Sequence, residues 1–409
     1  MTILIIGAGA AGLIAAWRAG SMGARVVLLE KEERPGTKIL ISGGGKCNLT
    51  HDGGVEELLA GFSRLEARFL RPSLYRFPPS EIMRMVSSRG LNLFTRPDGR
   101  VFPSEGNAKD VVAILREYAE SVGVQIRLRS VVTGLERDEH VIRGVQMGEV
   151  SIKADRVILC VGGCSYPGSG TTGDGWPWVQ QLGHTIQRIH AALAPIFLTP
   201  VPPDGWSGIA LRDVILRARR DNREVAKERG DVLFTHKGIS GPATLEISRA
   251  VAKERRLGPV SMEIDIHPDD PFEVVSRRME EWAKNHPLRQ ISAFVAEKVP
   301  ARLADVLTES AGAQNTKGAY LSRPMRNRLT GALKGWSPGD VINVPLEKGE
   351  VTAGGVCLDE VNPDTMESRL IKGLYLCGEI LDVAGRVGGY NLQAAFSTGY
   401  VAGDSAARR

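Results

Sequence analysis

Thr2-Ile3-Leu4-Ile5-Ile6-Gly7-Ala8-Gly9-Ala10-Ala11-Gly12-Leu13 opens the chain with an apolar run, a glycine-spaced turn and the start of a helical pattern. An apolar run of this length, bounded by glycine, is the pattern of a strand buried in a parallel sheet. Residues 13–21 read as a helix and residues 24–30 as a second buried strand. The three together form a strand–helix–strand unit with its tight turn between the first two elements. In that turn Gly7 permits the sharp bend, Gly9 lets the backbone approach a pyrophosphate, and Gly12 lets helix and strand pack closely. The helix N-terminus at Ala10 and Ala11 then offers free N–H groups and a partial positive charge to the phosphates. Glu30 lies 18 residues beyond Gly12. Its carboxylate accepts from both ribose hydroxyls, which selects an unphosphorylated adenosine ribose, that of FAD or NAD, over NADP.

Working outward, three later features select FAD. Ser42, Gly43, Gly44, Gly45, Lys46, Cys47 and Asn48 form a second glycine-rich segment within a loop read over 35–50. A flavin dinucleotide is long, and its pyrophosphate and ring need more exposed backbone N–H groups than one turn supplies. Residues 156–160 are another buried strand, followed by Gly162 and Gly163 and then by Thr171-Thr172-Gly173-Asp174-Gly175. Cys377, Gly378 and Glu379 end a strand over 373–378, and Gly388, Gly389, Tyr390, Asn391 and Leu392 open a helix read over 391–402. A helix N-terminus there favours the anionic edge of a reduced flavin.

Between these pieces the texture changes. Pro195, Pro200, Pro202 and Pro203 cluster, and prolines mark boundaries. Val260, Met262, Ile264 and Ile266 alternate with polar residues, the pattern of a half-solvated antiparallel strand. Residues 214–219 and 231–235 also read as strands. Residues 271–335 read as short helices separated at Pro287, Pro300, Gly312 and Pro324. The fold class is therefore α/β: a split Rossmann-like FAD-binding domain over 1–190 and 346–409, a β-type insert over 191–268 and 336–345, and a helical insert over 269–335.

Bulk composition fits. The chain has 409 residues, 43% hydrophobic and 24% charged, with net charge +5 and pI about 8.9. At roughly 150 residues per domain this is two or three domains. The mild basicity permits a polyanionic partner without demanding one. Five cysteines with no C-x-x-C pair exclude a zinc or disulfide framework and point to a reducing cytoplasm. The apolar run 3–17 is broken by glycines, lacks a basic flank, and is too short to span a bilayer. No metal and no membrane association are expected.

The sequence resembles the BaiN-type bacterial flavoproteins, described as NAD(P)/FAD-dependent or aminoacetone-oxidase-family oxidoreductases and distantly related to fumarate reductase and succinate dehydrogenase flavoproteins. The resemblance covers nearly the whole chain. It rests on residues 7–12, 42–48, 99–103, 171–175, 234–242, 352–356 and 388–393. It implies FAD contacts at the first glycine motif, at Glu30, Lys31, Lys38 and residues 42–48, at Val132 beside the adenine, at Gly162, Gly163, Gly378 and Glu379, and at Gly389, Tyr390, Asn391 and Leu392. It also implies that the insert is barrel-like and carries a small helical domain. Arg386 departs from the smaller or uncharged residue expected before Gly388.

With one strand-borne G-x-G-x-x-G there is no second Rossmann domain for NAD(P)H, which must dock transiently if it is the donor. The flavin carries the redox chemistry, and the chain supplies position and protons. Cys47 is either a proton donor beside the ring or a small residue filling a tight space. His236 either reaches the reacting centre or is a satisfied loop histidine, and Arg100 either clamps an anion or is a surface charge. Ser240 with Pro242 reads as a helix start. Residues 212–229 hold seven cations against four acids, and Arg323, Arg326, Arg328 and Lys334 run without acids. These are either RNA-phosphate contacts or a solvated charged face. Three functions stay open: reduction of uridine to dihydrouridine in ribosomal RNA, which the resemblance implies; a small-molecule enzyme oxidising an amine such as aminoacetone or reducing an enone; and a non-catalytic flavin redox sensor.

Overall fold

The opening run becomes a strand because every residue from Ile3 to Ile6 is buried, leaving backbone pairing on both sides as the way to satisfy its peptide groups. The computed structural model describes residues 1–408. Thr2–Ile6 pairs in parallel with Arg25–Leu29 on one side and Arg156–Leu159 on the other. Leu374–Leu376 and Gln125–Arg127 complete the five-stranded parallel sheet at its two edges. Chain order reverses around Thr2–Ile6, so the carboxyl end of that strand is the topological switch point where such sheets bind ligands.

Two compact units are present. The first comprises residues 1–190 and 350–409 and contains the parallel sheet. Helix Ala10–Ser21 lies against the last helix, Tyr390–Ala407, which is longer than the sequence pattern suggests because small residues carry its contact. A Cβ on Gly399 would lie 2.3 Å from the Ala11 carbonyl oxygen, and one on Gly403 2.4 Å from that of Ala15. Arg18 fixes the pair with a 2.5 Å bond to Asp404.

The second unit comprises residues 191–349. It is a closed six-stranded antiparallel barrel, with Ile196–Thr199, Gly238–Ser240, Arg223–Thr235, Ala210–Arg220, Ser261–Asp265 and Trp336–Asn343 in spatial order. Closure removes the sheet edges. Met262 and Ile264 are fully buried in its core while Ser261 and Glu263 are half-exposed, as their alternation predicts. Helices Phe272–Asn285, Ser292–Val295, Ala301–Ser310 and Arg323–Lys334 are inserted between its last two strands in the sequence.

Some local expectations are corrected. Residues 35–50 are not all loop: Thr37–Ile41 is a short helix and Ser42–Gly45 a tighter turn. Pro324 does not separate helices but sits in the first turn of Arg323–Lys334, where its missing N–H costs nothing. The helix start read at Ser240 and Pro242 is present, with Pro242 in the first turn of Pro242–Glu254, but its cap is Gly241, at φ +93°, and Ser240 ends a barrel strand.

Candidate dinucleotide site

The glycines of the first turn serve different physical ends. A Cβ on Gly7 would lie 2.6 Å from the Cys160 carbonyl oxygen, and one on Gly12 only 1.9 Å from that of Gly7. Both are required by the protein's own packing. Gly9 has nothing within 4 Å in that direction, so its lack of a side chain keeps open space at the helix N-terminus. Gly9 is also the N-cap of Ala10–Ser21, and no side chain caps that helix. Uncapped donors beside an open, glycine-lined space are a cradle for a phosphate.

Glu30 spans this turn. Its carboxylate accepts from the Ala8 N–H at 2.6 Å and from the Glu32 N–H at 2.9 Å. A carboxylate has about four lone-pair directions, so capacity remains for a ribose hydroxyl. Ser130 donates its N–H to the Glu30 carbonyl, which brings the segment leading to buried Val132 alongside. Lys31 reaches Thr172 at 2.6 Å and Asp174 at 2.5 Å, joining the ribose-side strand to the 171–175 segment.

The C-terminal piece closes on the same turn. A Cβ on Gly378, at φ +75°, would lie 3.0 Å from that of Ala11. Glu379 pairs with Lys38 at 2.5 Å, and Lys38 also donates to Ser165 at 2.9 Å. The second Glu379 oxygen accepts from the Thr352 N–H at 2.8 Å and from Ser165 at 3.2 Å, while the Thr352 hydroxyl accepts from the N–H groups of Cys164 and Ser165. This network locks four chain segments together, at Lys38, Ser165, Thr352 and Glu379. Gly163 lies within it, since a Cβ there would meet Thr352 at 2.4 Å, and Gly162 packs on Thr171. Burial pushes the Cys164 thiol up.

The second glycine segment has an unusual backbone. Gly43, Gly44 and Gly45 all take positive φ, at +56°, +68° and +85°. Gly43 and Gly44 are exposed, and nothing approaches the place where a Gly44 Cβ would be. This gives a second open strip of backbone. Cys47, at φ +59°, is fully buried beneath it, and desolvation pushes its thiol up to about 12. With its side-chain amide turned so that the nitrogen faces Thr50, Asn48 donates to the Thr50 carbonyl at 3.2 Å and accepts from the Gly389 N–H at 3.1 Å. Thr50 donates to Gln393 at 2.7 Å. The segment 42–50 and the start of the last helix are thereby held together. Asn391 fixes the approach to that helix by bonding both backbone groups of Gly385. Arg386, in that approach, is exposed.

Around this helix start lies a group that sequence reading only partly found. The Tyr390 ring contacts His51, with centroids 4.8 Å apart. A Cβ on Gly388 would lie 3.4 Å from Arg100 Cγ. Arg100 pairs with Asp98 at 2.5 Å, which holds the Asp98 carboxyl below its ordinary value. His51 bonds the Asp98 carbonyl through Nε2 at 3.2 Å, and its buried Nδ1 has no partner among the described residues. His51 and Ser165 carry no local motif, while Gln393 closes the 388–393 segment without a role assigned from sequence. Only their places just after glycine segments, or one helical turn inside the last helix, set them apart.

His236 lies in the second unit and is exposed on a barrel turn. The cationic stretch 212–229 proves largely self-neutralised. Arg212 pairs with Asp231, Arg217 and Arg219 with Glu263, Arg220 with Glu254, and Arg229 with Asp213 and Asp269. In the later run Arg326 pairs with Glu280 and Lys334 with Asp265.

The residues fit a flavin dinucleotide, with an open pyrophosphate turn, a ribose acid, and a second open glycine strip next to a helix start. Fold and site together define the class, an FAD-dependent oxidoreductase. The chain belongs to the HI0933-like protein Rossmann domain family, whose model matches residues 1–405. It is 31% identical to the ribosomal RNA dihydrouridine synthase of Haemophilus influenzae, over 99% of this chain and 98% of that protein. It is 32% identical to the 3-dehydro-bile acid delta(4,6)-reductase of Clostridium scindens, again over 99% and 98%. Its fold is also that of the 3-ketosteroid delta1-dehydrogenase of Sterolibacterium denitrificans, with TM-score 0.56 and 14% identity over 99% of both chains. Among the described residues no helix is long and apolar enough to cross a membrane.

Proposed function

We propose that the protein reduces a carbon–carbon double bond conjugated to a carbonyl, with NAD(P)H as a transiently docked donor, and that its substrate is uridine in ribosomal RNA. One observation carries this reading. Two full-length relatives act on substrates as different as ribosomal RNA and a bile acid, yet their names describe the same reaction, saturation of such a bond. In uridine the bond is C5=C6, conjugated to the C4 carbonyl.

Bound FAD would supply the hydride from its reduced ring. The turn at Gly7, Gly9, Ala10, Ala11 and Gly12 holds the pyrophosphate, Glu30 the ribose, and Gly43, Gly44, Gly45 and the start of the last helix the ring end. The chain must also stabilise charge gathering on the substrate carbonyl oxygen and deliver one proton to the α-carbon. Arg100, beside the last helix start, is assigned the first task. Cys47 and His236 are the alternatives for the second. If Cys47 is the donor, Cys47→Ala lowers turnover about 100-fold or more. The expected result is a change of less than about threefold with a lower melting temperature, because the thiol is fully buried. His236→Gln is measured beside it. We assign residues 1–190 and 350–409 to holding FAD, with the boundary at 350 rather than the 346 read from the sequence, and the barrel unit over 191–349, with its helical insert over 269–335, to the substrate.

The deciding measurement is mass spectrometry of ribosomal RNA from a strain lacking the gene. Loss of dihydrouridine, restored by the wild-type gene, is the expected result, and unchanged dihydrouridine overturns the RNA reading. The internal pairing of the 212–229 cations favours a second reading, a small-molecule enone reductase. Turnover of a steroid enone with intact ribosomal dihydrouridine would establish it.

A further inference from the structure

The motif Phe234-Thr235-His236-Lys237-Gly238-Ile239-Ser240-Gly241-Pro242 has no part in the dinucleotide site. It forms the turn between barrel strands Arg223–Thr235 and Gly238–Ser240. Two glycines press it onto its neighbours. A Cβ on Gly238 would lie 2.1 Å from the Ile196 carbonyl oxygen, and one on Gly241 2.8 Å from that of Asp231. Leu198 donates its N–H to the Lys237 carbonyl at 3.0 Å. The turn is thus fixed against strand Ile196–Thr199, while the side chains of His236 and Lys237 remain exposed.

This fixing places Lys237 over a half-buried ring. Its ammonium lies 5.7 Å from the Phe197 centroid. A second ammonium, that of Lys348, lies 5.4 Å from the same centroid. Neither lysine forms an ion pair with a carboxylate among the described residues. Within this unit Arg212, Arg217, Arg219, Arg220, Arg229, Arg326 and Lys334 have acidic partners, whereas Arg223, Lys227, Lys253 and Lys317 also lack one among the described residues; what distinguishes Lys237 and Lys348 is the ring they share. Two like charges on one ring, with no counter-charge, repel each other at a small cost unless an anion joins them. The ring contacts restrict the ammonium groups without using up their N–H donors.

We propose that Lys237 and Lys348, held by Phe197 and flanked by His236, form the contact that grips the sugar-phosphate backbone of the RNA substrate. The inference rests on the RNA reading above and locates it on the barrel. The sites first suggested by the sequence, the cationic runs at 212–229 and 323–334, are mostly spent on internal pairs. A backbone contact of this kind positions the strand and carries no sequence information of its own.

The test is binding of unmodified ribosomal RNA transcripts to the FAD-loaded protein, measured as affinity against salt concentration. Each phosphate contact to a single strand contributes about 0.7 to the slope of log K against log salt. The double variant Lys237→Gln with Lys348→Gln is expected to flatten the slope by about 1.4. Flavin content and flavin reduction by NAD(P)H without RNA should stay unchanged. Arg212→Gln, which removes an internally paired cation, should leave the slope within error of wild type.

If wild type binds and the double variant keeps the full slope, the phosphate contact is overturned while the RNA reading stands. Weaker binding with an unaltered slope overturns it too, since it assigns the lysines to packing. If wild type shows no salt-dependent RNA binding, and deletion leaves ribosomal dihydrouridine intact, both readings fail. Binding of a carboxylated steroid that depends on the same two lysines would transfer the cluster to a small organic acid.

Discussion

Glycine is read from a sequence as one residue, but the first turn uses it in two ways. Gly7 and Gly12 are needed by the protein itself, because a Cβ at either would strike a carbonyl oxygen. Gly9 faces open space, so the protein's own packing does not require it, and the proposed dinucleotide does. Replacing each by alanine should separate the two uses. Gly12→Ala is expected to destabilise the fold by about 1–3 kcal/mol through overpacking, visible in the melting temperature of flavin-free protein. Gly9→Ala should leave that temperature within about 1 °C and weaken FAD at least about tenfold, or ~1.4 kcal/mol. Equilibrium dialysis and thermal unfolding of the two variants check this. Equal loss of stability in both would remove the argument that Gly9 guards a ligand cradle. The spacing of these glycines and their separate roles were visible in the sequence, whereas the packing of Gly7 on Cys160 was not, since Cys160 joins the turn from far along the chain. His51 and Ser165 were illegible for a related reason: each gains its meaning from a partner, Tyr390 or Lys38, that only the fold brings near.

Elements with one strong period were easy to read, and those built on small residues were not. Thr2–Ile6 and Arg156–Leu159 announce themselves as uninterrupted apolar runs, and Ser261–Asp265 by its alternation. The helical pattern of the last helix fades near residue 402, but the helix continues to Ala407. Its contact face uses Gly399 and Gly403 rather than a stripe of large apolar side chains, so the usual pattern fades where packing is tightest. The short helix Thr37–Ile41 was masked by the glycines that follow it. The two small residues have a measurable consequence. Backbone contact at Ala11 and Ala15 sets the spacing of the first and last helices, whose N-termini are both proposed to hold the dinucleotide. Gly403→Leu should force them apart and lower stability by about 1–3 kcal/mol. For a unit of this size that is a fall of roughly 2–4 °C per kcal/mol. FAD affinity should fall with it, because the Gly9 cradle moves with the first helix. An unfolding curve at saturating and at limiting FAD tests both parts. Gly403→Ala, with less bulk, should show the smaller effect of the two.

At the scale of the molecule the net charge of +5 was a poor guide to where charge acts. A cationic run in sequence is a list of neighbours along a strand, while ion pairing is decided across strands. In the hairpin Ala210–Arg220 and Arg223–Thr235 the acids of the adjoining strand and helix consume most of the charge. The same cross-chain logic buries His184 in the first unit and His267 in the second. His184 is enclosed between Glu360 and Ser368, at 3.1 and 2.8 Å, and burial lowers its pKa from 6.5 despite the carboxylate beside it. His267 in the barrel unit is lowered from 6.5 by burial, with Lys298 and Lys334 adding to the effect and Asp270 and Asp265 opposing it. A histidine whose folded pKa lies below its unfolded value binds more protons when unfolded. Stability therefore rises with pH across that window and falls on acidification from about 6.5 downward. Aspartates held low, such as Asp98, lose their contribution only as pH falls below their ordinary value of 3.8, so the two windows do not coincide. Both units should therefore lose melting temperature between about pH 6.5 and 5, before carboxylate titration begins. His184→Gln and His267→Gln keep a neutral polar side chain, and each should flatten the dependence in its own unit. A melting temperature constant from pH 7 to 5 in the wild type would show that neither histidine is held neutral by the fold.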